Sequence, residues 1–302
     1  MPDHGSHDAF GTYVSPLASR YASDEMQSVW SPRRKHETWR RIWLALAEAQ
    51  HELGLKVTAA QLDALRAHLT LDAEDFSRAE AHEARLRHDV MAHVHAYADV
   101  APEAGPIIHL GATSQDINCN TEIPQIRDAL LITRQRTAAL IDALATFAER
   151  HRDQPCLGLT HYQPAQPTTV GKRAAAWAYD IWLCLSRLEF TCDELRLRGM
   201  KGATGTQASF LRLFDNDAEK VAELERRVAG KLGWAPDMLL LVTGQTYPRV
   251  VDAFVLSDLA ALASVIHKMC NDIRLLSNRK ELDEPFAASQ IGSSAMPYKR
   301  NP

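Results

Sequence analysis

Apolar residues return every three or four positions along nearly the whole chain, and that spacing predicts helices rather than strands. Ser31-Pro32 supplies an N-cap followed by proline at the first helical position. Trp39, Ile42, Trp43, Leu46 and Leu53 follow at helical spacing until Gly54 stops the run. Thr58 and Gln61 form a capping-box pattern that opens a second helix. A third is expected from about 74 to 98.

Longer stretches follow. Ile126, Leu130, Ile141 and Leu144 sit in a helix-forming run over about 122–150, and residues 168–197 form another, rich in Ala, Trp and Leu. A shorter helix is expected over 217–232. The last, over 250–282, carries Phe254, Leu259, Leu262, Val265, Ile266, Met269, Ile273 and Leu276. Helices of this length exceed the usual ~11–12 residues. They need neighbours along their whole length, which predicts an all-α fold built on a long helical bundle. Apolar residues on more than one face predict burial by other subunits as well. The loops between helices, at 109–121, 155–169, 199–210, 242–248 and 286–302, are where function is expected.

The 302 residues are 46% hydrophobic, enough for a large core and one to three domains. With 34 basic and 38 acidic residues and a net charge of −4, the chain lacks the basic surplus of a nucleic-acid binder. A few placed arginines would still suffice for a small anionic substrate. No run of apolar residues approaches the ~20 that span a bilayer. The start, Met1-Pro2-Asp3-His4, lacks the features of a secretory signal. The five scattered cysteines form neither a Cys-x-x-Cys pair nor a disulfide framework, so a cytoplasmic setting is expected. The chain stops at Asn301-Pro302, directly after a Gly/Ser/Pro-rich loop, which reads as truncation.

Residues 292–302 read GSSAMPYKRNP: mobile and hydroxyl-bearing at first, then rigid and cationic. A lid over an anionic substrate needs that combination, although composition alone also fits an ordinary interhelical loop. Residues 159–173 place His161 and two prolines ahead of a long helix, where the positive dipole end would favour neutral imidazole. In residues 85–95, RLRHDVMAHVH, Asp89 and His93 stand one helical turn apart and could form half of a metal site. No third or fourth ligand is evident nearby, so no metal is expected. The small and hydroxyl residues of 109–116, HLGATSQD, suit binding of a carboxylate or phosphate by backbone N–H groups, or a plain N-cap. No G-x-x-x-x-G-K-[ST] phosphate loop occurs.

Residues 292–302 are similar to the signature G-S-S-x-M-P-x-K-x-N-P of the fumarase/aspartase superfamily at every fixed position. The resemblance implies that Ser293 is the general base removing a Cβ proton and that Lys299 stabilises the charge that develops. Serine is a poor base unless Lys299 and neighbouring N–H groups stabilise its alkoxide. T-H-x-Q-P-A-Q-x-T-T-x-G-K-R over 160–173 resembles the adenylosuccinate lyases, and implies that His161 is the general acid. The Arg-His-Asp run resembles the same family's nucleotide contact. This implicates Arg87, His88 and Asp89, with His88 on phosphate or assisting the acid, and leaves His93 and His95 structural. Thr113 and Ser114 take a substrate-binding role by the same resemblance, though G-A-T-S-Q-D is also similar to the carboxymuconate cycloisomerases. Residues 15–23 and 243–247 resemble the family's further substrate contacts, implicating Arg20, Tyr21 and Gln245. The glycines of 201–210 are read mainly as backbone devices.

The resemblance covers essentially the whole chain in one register and is strongest to the branch that includes the animal enzymes. It implies a smaller N-terminal helical domain, 1–112, and a central long-helix domain, 113–302, without the family's remaining third and its C-terminal domain. The implied reaction is β-elimination of fumarate from adenylosuccinate, giving AMP, and from SAICAR, giving AICAR. It needs no cofactor, and a homotetramer would draw each site from three subunits. Another superfamily lyase, such as argininosuccinate lyase or fumarase, is the rival enzyme. A non-catalytic protein on this scaffold, or a fragment inactive for lack of its last third, is the other alternative.

Overall fold

The structure, a computed structural model, describes residues 13–301; Met1-Pro2-Asp3-His4 and Pro302 lie outside them. A single π-helical turn, Leu17–Tyr21, precedes α1 (Asp24–Val29), α2 (Pro32–Glu52), α3 (Ala59–Ala67), α4 (Ala73–Leu86) and α5 (Asp89–Val100). A 3-10 turn, Pro102–Ile107, leads to α6 (Ser114–Arg150). Then come β1 (Pro155–Thr160), β2 (Gln163–Thr169), α7 (Val170–Asp193), α8 (Ala208–Leu213), α9 (Ala218–Lys231) and α10 (Val250–Asn278). Two compact units result: Met1–Ile132 with Glu194–Val251, and Thr133–Asp193 with Asp252–Pro302. The first contains residues on both sides of the 112/113 boundary, so compactness and chain order divide the protein differently.

In the first unit α2 is the central rod. The Ser31 hydroxyl caps it by accepting from Arg34 N at 3.2 Å, with Pro32 at the first position. Trp39, Ile42, Trp43 and Leu46 are fully buried against Leu65, Val90, Tyr97, Ile108, Phe210 and Leu224. Thr58 and Gln61 form the expected capping box on α3, and Asp72 and Asp75 form another on α4. Arg40 is carried into this core with its partners: Asp75 at 3.0 Å, the carbonyl of His68 at 2.7 Å, and the Tyr97 ring 4.6 Å from its guanidinium. A buried cation is stable only when its donors are satisfied in this way.

The single helix expected over 74–98 is two. Arg87 adopts a left-handed conformation (φ 52°) that ends α4, and the His88 ring caps α5 by accepting from Met91 N at 3.4 Å. No glycine announces the break, so the helical period runs through it in the sequence. His88 therefore stands at a cap, outside the helix proper.

In the second unit the segment expected as a loop over 155–169 is a β-hairpin. Thr160 pairs with Gln163 across a two-residue turn made by His161 (φ 51°) and Tyr162 (φ 58°). Positive φ at both central positions is the turn whose twist suits a tight hairpin. Pro164 and Pro167 hid the strand; both strands of a two-stranded sheet are edges, where proline is tolerated. Val170 N and Gly171 N donate to the carbonyls of Gln154 (3.0 Å) and His151 (2.9 Å), setting the start of α7 against the end of α6. Gly171 is required there, since a Cβ would lie 2.6 Å from Arg152 Cα.

Helix α10 turns Val255, Leu262, Met269 and Leu276 inward at seven-residue intervals, and α7 buries Ala174, Trp177, Ile181, Leu185 and Leu188. Trp177 Nε1 donates to Asp272 at 2.8 Å, and the Thr191 hydroxyl donates to the buried Asp258. Other faces stay open: Tyr179, Phe190, Phe254 and Leu256 are each more than half exposed. Helix α10 is long and apolar enough to cross a membrane by length and composition. Asp258, His267 and Lys268 interrupt its apolar run, so no unbroken apolar stretch of that length occurs.

Candidate active site

The residues singled out from the sequence divide between the two units. Arg20, Tyr21, Arg87, His88, Asp89, Thr113, Ser114 and Gln245 lie in the first, and His161, Ser293 and Lys299 in the second.

In the first unit the His88 cap and the start of α6 come together. Because His88 Nδ1 accepts from Met91 N, the neutral ring carries its proton on Nε2, which stands 3.4 Å from the Ser114 hydroxyl. Ser114 is the first residue of α6, which starts eight residues earlier than the periodicity suggested. Thr113 N donates to Asp116 Oδ2 at 2.9 Å, closing the first turn. The Asp89 carboxylate accepts from Val90 N at 2.8 Å at the head of α5. Arg87 is exposed beside it. Arg20 and Tyr21 are exposed on the π-helical turn, the guanidinium 5.9 Å from the ring centre. Gln245 is exposed in the 242–248 loop.

His109 joins this group and was not singled out from the sequence. Its Nδ1 accepts from Trp43 Nε1 at 3.0 Å; indole can only donate, so the neutral ring carries its proton on Nε2. Burial, reinforced by nearby His88 and opposed by Asp116, lowers its pKa and favours that neutral form. The signal in the sequence was slight: a histidine two residues before Gly111-Ala112-Thr113-Ser114, and a tryptophan at a core-facing helical position whose indole N–H needs an acceptor.

In the second unit His161 occupies the exposed tip of the hairpin and not the start of α7, so the expected helix-dipole effect does not reach it. Tyr162 ties the tip to the end of α10 through its hydroxyl, 3.3 Å from the Leu275 carbonyl. Beneath the turn lies a cleft of about 450 Å³ lined by His161, Tyr162, Lys172, Arg173, Trp177, Lys268 and Asp272. Asp272 is already shared by Trp177 and Lys268 (2.7 Å), and Arg173 donates to the Leu157 carbonyl at 3.0 Å. Three basic groups and one acidic line the cleft, but Lys268 pairs with Asp272 and Arg173 lies 3.6 Å from Glu281, which leaves a small positive excess carried by Lys172.

The signature loop closes on itself. Asn301 Nδ2 donates to the Gly292 carbonyl at 2.9 Å, and Lys299 N to the Met296 carbonyl at 2.9 Å. Gly292 permits that closure, since a Cβ would meet Arg300 Cα at 3.0 Å. The half-buried Ser293 hydroxyl oxygen accepts from Met296 N at 3.2 Å and Ala295 N at 3.4 Å. Two N–H groups aimed at one oxygen would stabilise negative charge on it. Lys299 is exposed, and no hydrogen bond joins His161 to Ser293 or Lys299 among the described residues.

Long helices thus hold a histidine hairpin and a self-closed serine–lysine loop, the arrangement expected of the fumarase/aspartase superfamily. The chain belongs to the lyase family, whose model matches residues 20–302. It is 48% identical to an adenylosuccinate lyase of Saccharomyces cerevisiae over 303 residues, which is 100% of this chain and 61% of that protein. It is 36% identical to an adenylosuccinate lyase of Pyrococcus abyssi over 96% of this chain and 62% of that one. Among solved structures it resembles a 3-carboxy-cis,cis-muconate lactonizing enzyme from Pseudomonas putida. The TM-score is 0.78 at 28% identity, covering 94% of this chain and 62% of that chain. A fumarate lyase from Mesorhizobium sp. BNC1 gives a TM-score of 0.75, also at 28% identity, covering 86% and 59%. The chain spans about three-fifths of the length of the curated relatives it matches.

Proposed function

We propose that the full-length protein is an adenylosuccinate lyase, releasing fumarate from adenylosuccinate and from SAICAR. The observation that carries the reading is the Ser293 hydroxyl cradled by two backbone N–H groups in the self-closed loop that also bears Lys299. The high identity to adenylosuccinate lyases over the whole chain supports this substrate over argininosuccinate or malate.

Ser293, as alkoxide, takes the proton from the carbon next to the succinyl carboxylate. The carbanion's charge spreads into that carboxylate, where Lys299 and N–H donors stabilise it; each well-placed donor contributes about 3–4 kcal/mol. The C–N bond then breaks, its electron pair going to nitrogen, and His161 protonates the leaving amine. The double bond of fumarate forms between the two carbons. Neither step needs a cofactor or metal. Arg20, Tyr21, Arg87, His88, Asp89, Thr113, Ser114 and Gln245 bind the nucleotide and succinyl groups, with the neutral His109 as an added donor.

The protein acts in this reading as a cytoplasmic homotetramer, with an N-terminal helical domain over 1–112 and a central one from 113. Each site combines loops of three subunits. The exposed apolar residues of α7 and α10 are the surfaces available for that assembly. Mixing full-length His161→Ala and Ser293→Ala variants tests both the reaction and the shared site. Subunit exchange should restore fumarate release from adenylosuccinate, read by its ultraviolet absorbance. A mixture that stays inactive while wild type works would overturn the shared site. Wild type that consumes argininosuccinate instead would overturn the substrate.

A further inference from the structure

Asp116 and Arg198 are fully buried and ion-paired across 82 residues of sequence. Neither side chain reaches an open surface, yet both are committed to loop backbone. Asp116 Oδ1 accepts from Lys201 N at 2.9 Å and Gly202 N at 3.1 Å, and Oδ2 accepts from Thr113 N at 2.9 Å. Arg198 donates to the carbonyls of Gly202 (2.7 Å) and Gly244 (2.9 Å). One turn along α6, Asn120 both donates to the Gly199 carbonyl and accepts from Gly199 N, each at 3.0 Å.

Three loops therefore meet on one charge pair. The first carries Thr113 and Ser114 and the third carries Gln245. The second, 199–207, lies between them and carries no residue assigned to substrate. Its backbone is shaped for close approach: Gly202, Gly205 and Gln207 are left-handed, and a Cβ on Gly205 would overlap the Thr243 carbonyl. A carboxylate offers about four acceptor sites and a guanidinium five planar donors. The carboxylate takes three backbone N–H groups and the guanidinium, and the guanidinium takes two backbone carbonyls while its buried Nε stays unpaired; the pair thereby fixes chain segments in set directions, which apolar packing cannot do as sharply. Holding loop atoms to well under an ångström is what a binding site needs from its surroundings.

We propose that Asp116 and Arg198, with Asn120, are positioning residues that set the Thr113–Ser114 and Gly244–Gln245 segments at one fixed separation, so that both can grip one substrate. What those segments bind rests on the function proposed above; the tie itself does not.

The test uses the full-length protein and the double variant Asp116→Leu/Arg198→Met, which removes both charges and leaves neither unpaired. Hydrogen exchange read by mass spectrometry should show peptides spanning 109–116, 199–207 and 242–247 losing protection together, by about tenfold or more, while α3 and α9 keep theirs. KM for adenylosuccinate should rise about tenfold or more with kcat changed far less, the signature of lost binding geometry. Independent responses of the three peptides, or a wild-type KM in a double variant that melts like wild type, would overturn the proposal. If the double variant does not fold, Asn120→Ala should show the same linked loss over 109–116 and 199–207 in milder form, and its absence refutes the tie. If wild type releases no fumarate from adenylosuccinate, the substrate reading fails by itself, and the exchange pattern still decides the tie.

Discussion

Replacing Asp75 with alanine should unfold the first unit far more readily while leaving the chemistry of the lyase reaction nearly untouched. Asp75 is buried and binds both terminal nitrogens of Arg40, at 3.3 and 3.0 Å. It also accepts from Asp72 N at 3.2 Å as half of the α4 capping box. The variant strands a guanidinium that is 2% exposed and cannot reach water without opening the core. Stranding one member of a buried pair costs roughly 3–5 kcal/mol. Losing half of the capping box adds about 1 kcal/mol. The Arg40 bonds to the carbonyls of His68 and Thr70 survive and pull the expected total toward about 4 kcal/mol. Urea denaturation followed by far-ultraviolet circular dichroism measures this directly. Arg40→Leu/Asp75→Leu should recover most of the loss, because no unpaired charge remains. A loss below about 1 kcal/mol for Asp75→Ala, or a double variant weaker than the single one, would refute the account. The pH dependence has a defined sign. Burial raises the Asp75 pKa, but hydrogen bonding and charge from Arg40, with Asp72 N and Arg78, outweigh it and leave the pKa lowered. The contribution is therefore complete above the unfolded carboxylate value and is lost as pH falls through the lower folded one.

Three further outcomes follow from the same geometry. Ser293→Ala in the full-length enzyme should cut kcat by about 10²–10⁴ with an unchanged circular dichroism spectrum, since general-base loss is of that order and the hydroxyl makes only local bonds; near-normal turnover would exclude Ser293 as the base. Gly171→Ala should lower the melting temperature through a backbone displacement costing about 1–3 kcal/mol, because the new methyl meets the backbone of Arg152; an unchanged melt would contradict the packing at the start of α7. His36 and His93 stack at 3.8 Å, with pKa values lowered to about 3 and about 4: burial is the main cause for both, followed by His93 and Lys35 for His36, and by Arg40 for His93 against the opposing Asp89 and Asp75. The unfolded chain binds these protons first, so stability should fall as pH drops from 6.5 toward 4, by about 3 kcal/mol for His93 alone; His93→Gln should flatten that slope in urea titrations.

The helices were legible because amphipathic spacing is a local property. The caps at Ser31, Thr58 and Asp217 are local too, each closing within three residues. What escaped was conformation without a composition signal, and contact across long sequence separations. Arg87 breaks a helix in a backbone geometry usually left to glycine, and Pro164 and Pro167 disguise a strand that survives as an edge. The His161 turn escapes for the same reason: with the strand disguised, the histidine reads as part of the approach to the following helix, whereas it closes a hairpin nine residues before α7. The roles assigned to Ser293, Lys299 and the nucleotide contacts came from motif resemblance, since a serine in a Gly/Ser loop carries no chemistry by spacing alone. His109 needed Trp43, 66 residues away, and Asp116 needed Arg198. No period along the chain encodes either pair.

The hairpin that presents His161 has a bearing on how copies of this chain could meet. A ribbon of two strands has no inner strand, so its full length is open to a passing chain seeking backbone partners. Two of the seven residues of β2 are prolines with no amide hydrogen to offer. The ribbon is thus a poor seed for stacking with its own copies, even in a crowded cell. It can stand proud, with its histidine uncovered, without pairing edge to edge.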